Sequence, residues 1–220
     1  MTGILDSPRQ IEAVDRHGML EALKNFPKYC REALKLGLEA DLNRLQGGNF
    51  VNVVFLGMGG SAIGGNLLKD WAYGRLKVPF EVCRDSEIPG FLGEGSLAIA
   101  ISYSGNTFET LKAFREALKR GSRALTISSG GKLAEESLQA GVSHIRVPGG
   151  LQPRAALPYL MIPAGLALER LGLLENFQGE LEEAVKVLDG LALKFGPESP
   201  VDANPAKQLA LGLHATLPVI

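Results

Sequence analysis

Two cysteines in 220 residues, Cys30 and Cys83, cannot build a disulfide framework. A chain of this length also buries enough surface to fold without one. Cys30 falls in a helical pattern and Cys83 in a strand pattern, so both read as buried, reduced thiols. Histidine is almost as scarce. His17, His144 and His214 are far apart, and no His/Cys grouping has metal-ligand spacing, which excludes a sequence-encoded metal motif. Charge of one sign is missing too: 23 Lys and Arg stand against 24 Asp and Glu, for a net charge of −1. That balance argues against nucleic acid or an anionic membrane as a partner. No apolar run reaches the length of a membrane span. The start, Met1-Thr-Gly-Ile-Leu-Asp-Ser-Pro8, lacks the basic, apolar and cleavage regions of a signal peptide, so a cytoplasmic chain is expected.

What is present is organised around Ile99-Ala-Ile-Ser-Tyr-Ser-Gly-Asn-Thr-Phe-Glu-Thr110. Residues 97–101 read as a buried strand, and a helix starts near Thr107. The first N–H groups of a helix have no internal partner, and its dipole favours negative charge there. Ser102, Ser104 and Thr107 add hydroxyl donors, while Gly105 lets a ligand approach the backbone. The turn has no lysine, so it is not a Walker-type nucleotide loop. A neutral, hydroxyl-rich cradle suits one phosphate monoester on a small molecule. Taken alone, the same run is also compatible with an ordinary capped strand–turn–helix corner.

A second corner changes the balance. The strand Val51-Asn-Val-Val-Phe-Leu56 leads into Gly57-Met-Gly-Gly-Ser-Ala-Ile-Gly-Gly65. Glycines between a strand and a helix are the general form of a phosphate or dinucleotide loop. The spacing Gly57-x-Gly59-x-x-x-x-Gly64 misses the dinucleotide pattern, and the acidic residue that should follow, Asp85, comes late. Ser61 is placed to point into the same crevice as Ser102 and Ser104.

Around these corners the chain alternates. Residues 7–46 read as helices broken at Gly18 and Pro27, with one helix carrying an apolar face through Leu42. Strands are expected near 51–56, 79–84, 97–101, 123–128 and 143–147, and helices over 66–73, 108–120, 132–140 and 152–171. Five alternations predict a three-layer αβα fold with a five-stranded parallel sheet of the flavodoxin-like type. Ligands in such sheets bind beyond the carboxyl ends of the strands, where both corners lie. Arg154, placed in the first turn of the 152–171 helix, opposes the helix dipole. Its fixed donors suit an oxyanion or carboxylate, with a surface salt bridge as the ordinary alternative. Pro158 and Pro163 should kink this helix. Further helices are expected over 180–193 and 206–215, and residues 217–220 read as a strand just beginning. The organisation expected is a first domain over 1–175 and, in 176–220, a linker and the first elements of a second, truncated one.

Together these stretches resemble the sugar isomerase (SIS) domain superfamily and, within it, the bifunctional phosphoglucose/phosphomannose isomerases. The resemblance is carried by Phe55-Leu-Gly-Met-Gly-Gly-Ser-Ala-Ile-Gly-Gly65, Ser102-Tyr-Ser-Gly-Asn-Thr-Phe-Glu-Thr110, Gly149-Gly-Leu-Gln-Pro-Arg-Ala-Ala156 and Asn204-Pro-Ala-Lys-Gln-Leu-Ala210. It implies two SIS domains per chain, a homodimer, and chemistry without metal or cofactor. It also implies that Ser61, Ser102, Ser104 and Thr107 hold the substrate phosphate, that Gly59 and Gly60 lie against the sugar, and that Arg154 stabilises an enediolate. The substrates implied are glucose 6-phosphate, mannose 6-phosphate and fructose 6-phosphate. Pro158 stands where the family pattern leads one to expect glycine. The family's catalytic glutamate and its ring-opening histidine and lysine have no match in these residues, and His214 does not fit. The 220 residues alone are therefore expected to bind glucose 6-phosphate or fructose 6-phosphate weakly, if at all, and not to isomerise it. The alternative is a non-catalytic SIS module that senses a sugar phosphate.

Overall fold

A computed structural model describes residues 2–217. Its elements in chain order are α1 (Thr2–Leu5), α2 (Pro8–Val14), α3 (Met19–Lys24), α4 (Phe26–Glu39), β1 (Asn52–Gly57), α5 (Gly59–Trp71), β2 (Phe80–Cys83), β3 (Ser96–Ile101), α6 (Phe108–Lys119), β4 (Arg123–Ser128), α7 (Gly131–Gln139), β5 (Ser143–Arg146), α8 (Leu157–Arg170), α9 (Phe177–Lys194) and α10 (Pro205–Leu213). A single 3-10 turn, Val201–Ala203, precedes α10. The chain divides into two compact units: Tyr29–Leu181, which holds the sheet, and Met1–Lys28 with Glu182–Ile220. Among the described residues no helix is long and apolar enough to cross a membrane.

The sheet has five strands in the order β2-β1-β3-β4-β5, and each pair of neighbours is parallel. β3 is buried along its whole length and β1 beyond Asn52. That is the expected result of covering both faces with helices, and it explains why these strands read as continuous apolar runs. Val54, Leu56, Ala98 and Ala100 pack with Leu111, Phe114 and Ala117 of α6 and Leu133 of α7. Glycine lets helices approach closely on the other side of the molecule. A Cβ on Gly64 of α5 would lie 3.4 Å from the Leu160 backbone of α8. One on Gly165 of α8 would overlap the Phe177 ring, which in turn stacks on Trp71 at 5.1 Å.

Several helix bounds differ from the sequence reading. α4 ends at Glu39, not beyond Leu42, because Arg170 donates to the carbonyls of Gly37 and Ala40 at 2.8 Å each. Those are the orphan acceptors of a helix end, and satisfying them closes the helix. Leu42 and Leu45 still bury fully, from a turn. α9 starts at Phe177, three residues before the expected start. Pro158 sits in the first turn of α8, where its missing N–H breaks no helical bond, while Pro163 lies inside it. Leu217 is exposed and in no element. The rest of the strand expected over 217–220 lies outside the described residues.

In the other unit, Asn204 is fully buried and caps α10, accepting from the N–H groups of Ala206 and Lys207 at 3.0 and 3.1 Å. Lys207, also buried, donates to the carbonyls of Pro197 and Ser199 at 2.8 and 2.6 Å. The Asn204–Ala210 motif therefore builds a helix start and ties down a loop.

His144 on β5 has a structural part. Ser137 Oγ donates to the Leu133 carbonyl at 2.5 Å, so Thr126 Oγ1 must donate to Ser137 at 2.6 Å. His144 Nδ1, 2.8 Å from Thr126 Oγ1, is then the donor of that pair, and Nε2 is a buried acceptor without a partner among the described residues. A proton on Nε2 would place a charge there unpaired. Burial first, and then the nearby Arg146, hold this imidazole below its ordinary value of 6.5. Between that lowered value and 6.5 the unfolded chain binds more protons, so stability falls as the pH drops through this window. Melting temperatures measured from about pH 7.5 to 5 should decline, and His144→Asn should flatten the decline. An unchanged slope in the variant would remove His144 from this role.

Candidate functional site

β1 and β3 are adjacent, but the chain leaves them in opposite directions: β1 is followed by β2 on one side, and β3 by β4 on the other. This is the topological switch point, where crevices open at the carboxyl ends of the strands. The register Gly57↔Ile101 and Ile101↔Ile127 brings three strand ends level. Three turns thus emerge side by side, and two of them are the glycine and hydroxyl corners.

The first corner is tighter than its sequence implies. A helix was expected from Asn66, yet α5 begins at Gly59. Ser61 and Ala62 both donate to the Met58 carbonyl, and Gly59 takes a φ of +52°, which opens the helix immediately after the strand. Glycine in a helix costs up to about 1 kcal/mol relative to alanine. Close packing offsets that cost: a Cβ on Gly65 would lie 2.5 Å from the Phe55 ring. Met58 provides no side-chain cap, so the first N–H groups of α5 keep their donor capacity, with Ser61 nearly buried in that turn. Gly60 faces the Arg154 turn, for a Cβ on it would lie 3.7 Å from the Pro153 carbonyl oxygen.

The second corner is a hydroxyl relay. Ser102 is fully buried, and its Oγ lies 2.9 Å from Thr107 Oγ1 and 3.4 Å from the Thr107 N–H nitrogen. Thr107 is the N-cap residue of α6 but makes no side-chain cap bond. If Ser102 donates to Thr107, the Thr107 hydroxyl proton is left for an anion, as are the first N–H groups of α6. Ser104 is exposed, and its Oγ accepts from the Asn106 N–H at 3.2 Å, so its own proton is free to donate outward. Gly105 has a φ of +71°, and a Cβ there would lie 1.8 Å from the Gly130 carbonyl oxygen. The β3–α6 and β4–α7 turns are therefore in backbone contact. Leu133 N–H donates to the Gly105 carbonyl at 2.9 Å, and Lys132 N–H to Asn106 Oδ1 at 3.1 Å.

Arg154 is not in the first turn of α8. It lies in the turn that precedes it, closed by Ala155 N–H on the Gln152 carbonyl at 2.9 Å. Pro153 and Pro158 set this boundary, because α8 can begin only where the missing N–H groups are not needed. Arg154 is exposed, and among the described residues it has no ion-pair or hydrogen-bond partner, which removes the salt-bridge alternative within them. One turn onward, Tyr159 donates to the Glu32 carboxylate of α4 and packs 5.7 Å from the Tyr29 ring. Burial and then Glu32 push the Tyr159 phenol well above its ordinary value, so it stays protonated.

Three contributors were not singled out from sequence. Tyr103 and Asn106 link the hydroxyl turn to its neighbours, and Ser129 donates to the Tyr103 carbonyl through both N–H and Oγ, at 2.9 and 2.7 Å. The only cue was a large phenol between two serines, in a turn where no apolar period calls for one. A groove of about 520 Å³ lies beside the hydroxyl turn, lined by Asn106, Phe108, Leu111, Arg115 and Lys132, and another of about 460 Å³ is lined by Lys112, Lys119 and Arg120 further along α6.

Comparison with known proteins finds relatives along most of the chain. A bifunctional phosphoglucose/phosphomannose isomerase of Caldicellulosiruptor bescii is 42% identical over 202 residues, 92% of this chain and 59% of that protein. One from Thermoplasma acidophilum is 38% identical over 173 residues, 79% of this chain and 50% of that protein. Over these residues the chain is similar to the bifunctional phosphoglucose/phosphomannose isomerases, and its five-stranded parallel sheet is that of the sugar isomerase (SIS) fold. Its fold matches the C-terminal domain of the glucosamine-fructose-6-phosphate aminotransferase of Francisella tularensis with a TM-score of 0.59 and 18% identity, over 84% of this chain and 56% of that one. No protein-family model matches. The chain spans a little over half the length of the curated relatives it matches.

Proposed function

We propose that this chain holds the phosphate of a hexose 6-phosphate for an aldose–ketose isomerase, one that converts glucose 6-phosphate and mannose 6-phosphate to fructose 6-phosphate. The observation that carries the reading is the pairing of two side-chain-uncapped helix starts at one switch point, both furnished with hydroxyls, beside an arginine with no partner among the described residues. Ser104, Thr107 and the first N–H groups of α6 would donate to the phosphate, with Ser102 turning the Thr107 proton toward it. Ser61 and the opening of α5 supply the second wall, and Gly59 and Gly60 leave room for the sugar. Transfer of a proton between C2 and C1 passes through an enediolate, and Arg154 supplies fixed positive charge where that charge develops. The names of the curated relatives support the same substrates. The resemblance adds a cytoplasmic homodimer to this reading.

Calorimetric titration with fructose 6-phosphate, using fructose and inorganic phosphate as controls, tests it. Ser102→Ala and Thr107→Val should each weaken fructose 6-phosphate binding by about 1–3 kcal/mol, the usual worth of a hydrogen bond to a charged group. Affinity left unchanged in both variants would sink the site. Tight binding with no turnover in a full-length protein would favour the sensor instead.

A further inference from the structure

The segment between β5 and the Arg154 turn is held by few hydrogen bonds. Val147 N–H donates to the Ser128 carbonyl at 3.0 Å. Pro148, Gly149 and Gly150 are exposed and, among the described residues, make no hydrogen bond; Gly150 has a φ of +91°. The next tie is Leu151 N–H donating to the phenol oxygen of Tyr103 at 3.0 Å. Three residues later comes Arg154. Tyr103 itself is almost buried, with its carbonyl occupied by Ser129 and its backbone sitting between Ser102 and Ser104. One side chain thus ties the hydroxyl turn to the loop that leads into the arginine turn.

We propose that Tyr103 is a positioning residue that fixes Arg154 relative to the phosphate turn, through the Leu151 N–H. This rests on the reading of the site as a sugar-phosphate site and adds to it how its two halves keep their spacing. The phosphate-binding groups need no such tie, because α6 and the β4–α7 turn hold them. Arg154 does: it has no partner of its own among the described residues, and its turn follows a Pro-Gly-Gly run with wide conformational freedom. Without the phenol, the 148–151 segment samples more states, and the guanidinium is no longer presented in one place when a ligand arrives.

The test is a double-mutant cycle on the full 220-residue chain, read with two ligands: inorganic phosphate and a phosphorylated hydroxamate that mimics the enediolate. Tyr103→Phe keeps the ring and removes only the acceptor. It should leave phosphate affinity within about twofold, weaken the hydroxamate about 5- to 10-fold, and speed hydrogen exchange at the Leu151 amide. In the background of Arg154→Gln the same change should have no further effect on the hydroxamate, since its influence runs through Arg154. Equal losses for both ligands, additive losses in the double variant, or hydroxamate binding as in the parent would each overturn the positioning role. A parent chain that binds neither ligand would overturn the sugar-phosphate reading, and this inference with it; a parent that binds both separates the two.

Discussion

Gly105→Ala is expected to destabilise the sheet-bearing unit by about 3–5 kcal/mol and to abolish measurable sugar-phosphate binding. Two independent costs meet at this position. A φ of +71° already costs an L-residue about 1–2 kcal/mol. The new methyl would also lie 1.8 Å from the Gly130 carbonyl oxygen. That neighbour is backbone, so no rotamer change relieves the clash. The β4–α7 turn would have to retreat, giving up the Leu133 N–H bond to Gly105 and pulling on the Ser129–Tyr103 pair. Gly74 provides the comparison: its φ is +74°, but a Cβ there meets nothing within 4 Å. Gly74→Ala should show only the conformational cost and normal ligand affinity. Urea denaturation and calorimetry on both variants make the check, and a Gly105→Ala protein no worse than Gly74→Ala would refute the contact argument.

Arg154→Gln should separate charge stabilisation from phosphate grip. Gln keeps a polar amide but loses the charge and the forked donor set. Loss of a hydrogen bond to a charged partner is worth about 1.5–3 kcal/mol, so the enediolate mimic should bind roughly 10- to 150-fold more weakly. Inorganic phosphate should bind nearly as before. Melting behaviour should not change, because Arg154 is exposed and makes no interaction with the described residues that folding would lose. The same fold-loss for both ligands would place Arg154 on the phosphate and leave the developing enediolate without its cation.

Read alone, the sequence determined the fold class and which turns carry the hydroxyls and glycines. Continuous apolar runs such as 97–101 fit strands buried on both faces, and their alternation with helical segments points to a parallel sheet and leaves few topologies. Turn chemistry is local, so the hydroxyls of Ser102, Ser104 and Thr107 and the glycines after β1 were visible as residue types. The tertiary structure alone decided how those turns meet. α5 begins at Gly59, seven residues ahead of the expected Asn66, because Gly64 and Gly65 pack closely against Leu160 and Phe55. Propensity counts those glycines against a helix and cannot sense the neighbours that reward them. α4 stops at Glu39 because Arg170, 131 positions later, donates to its last carbonyls. Tyr103 could not be picked out for the same reason: its acceptor oxygen meets the Leu151 N–H, 48 residues away in sequence. Periodicity and turn motifs report what each residue does to its own segment. A contact between segments depends on strand order and register, and those exist only once the chain has folded.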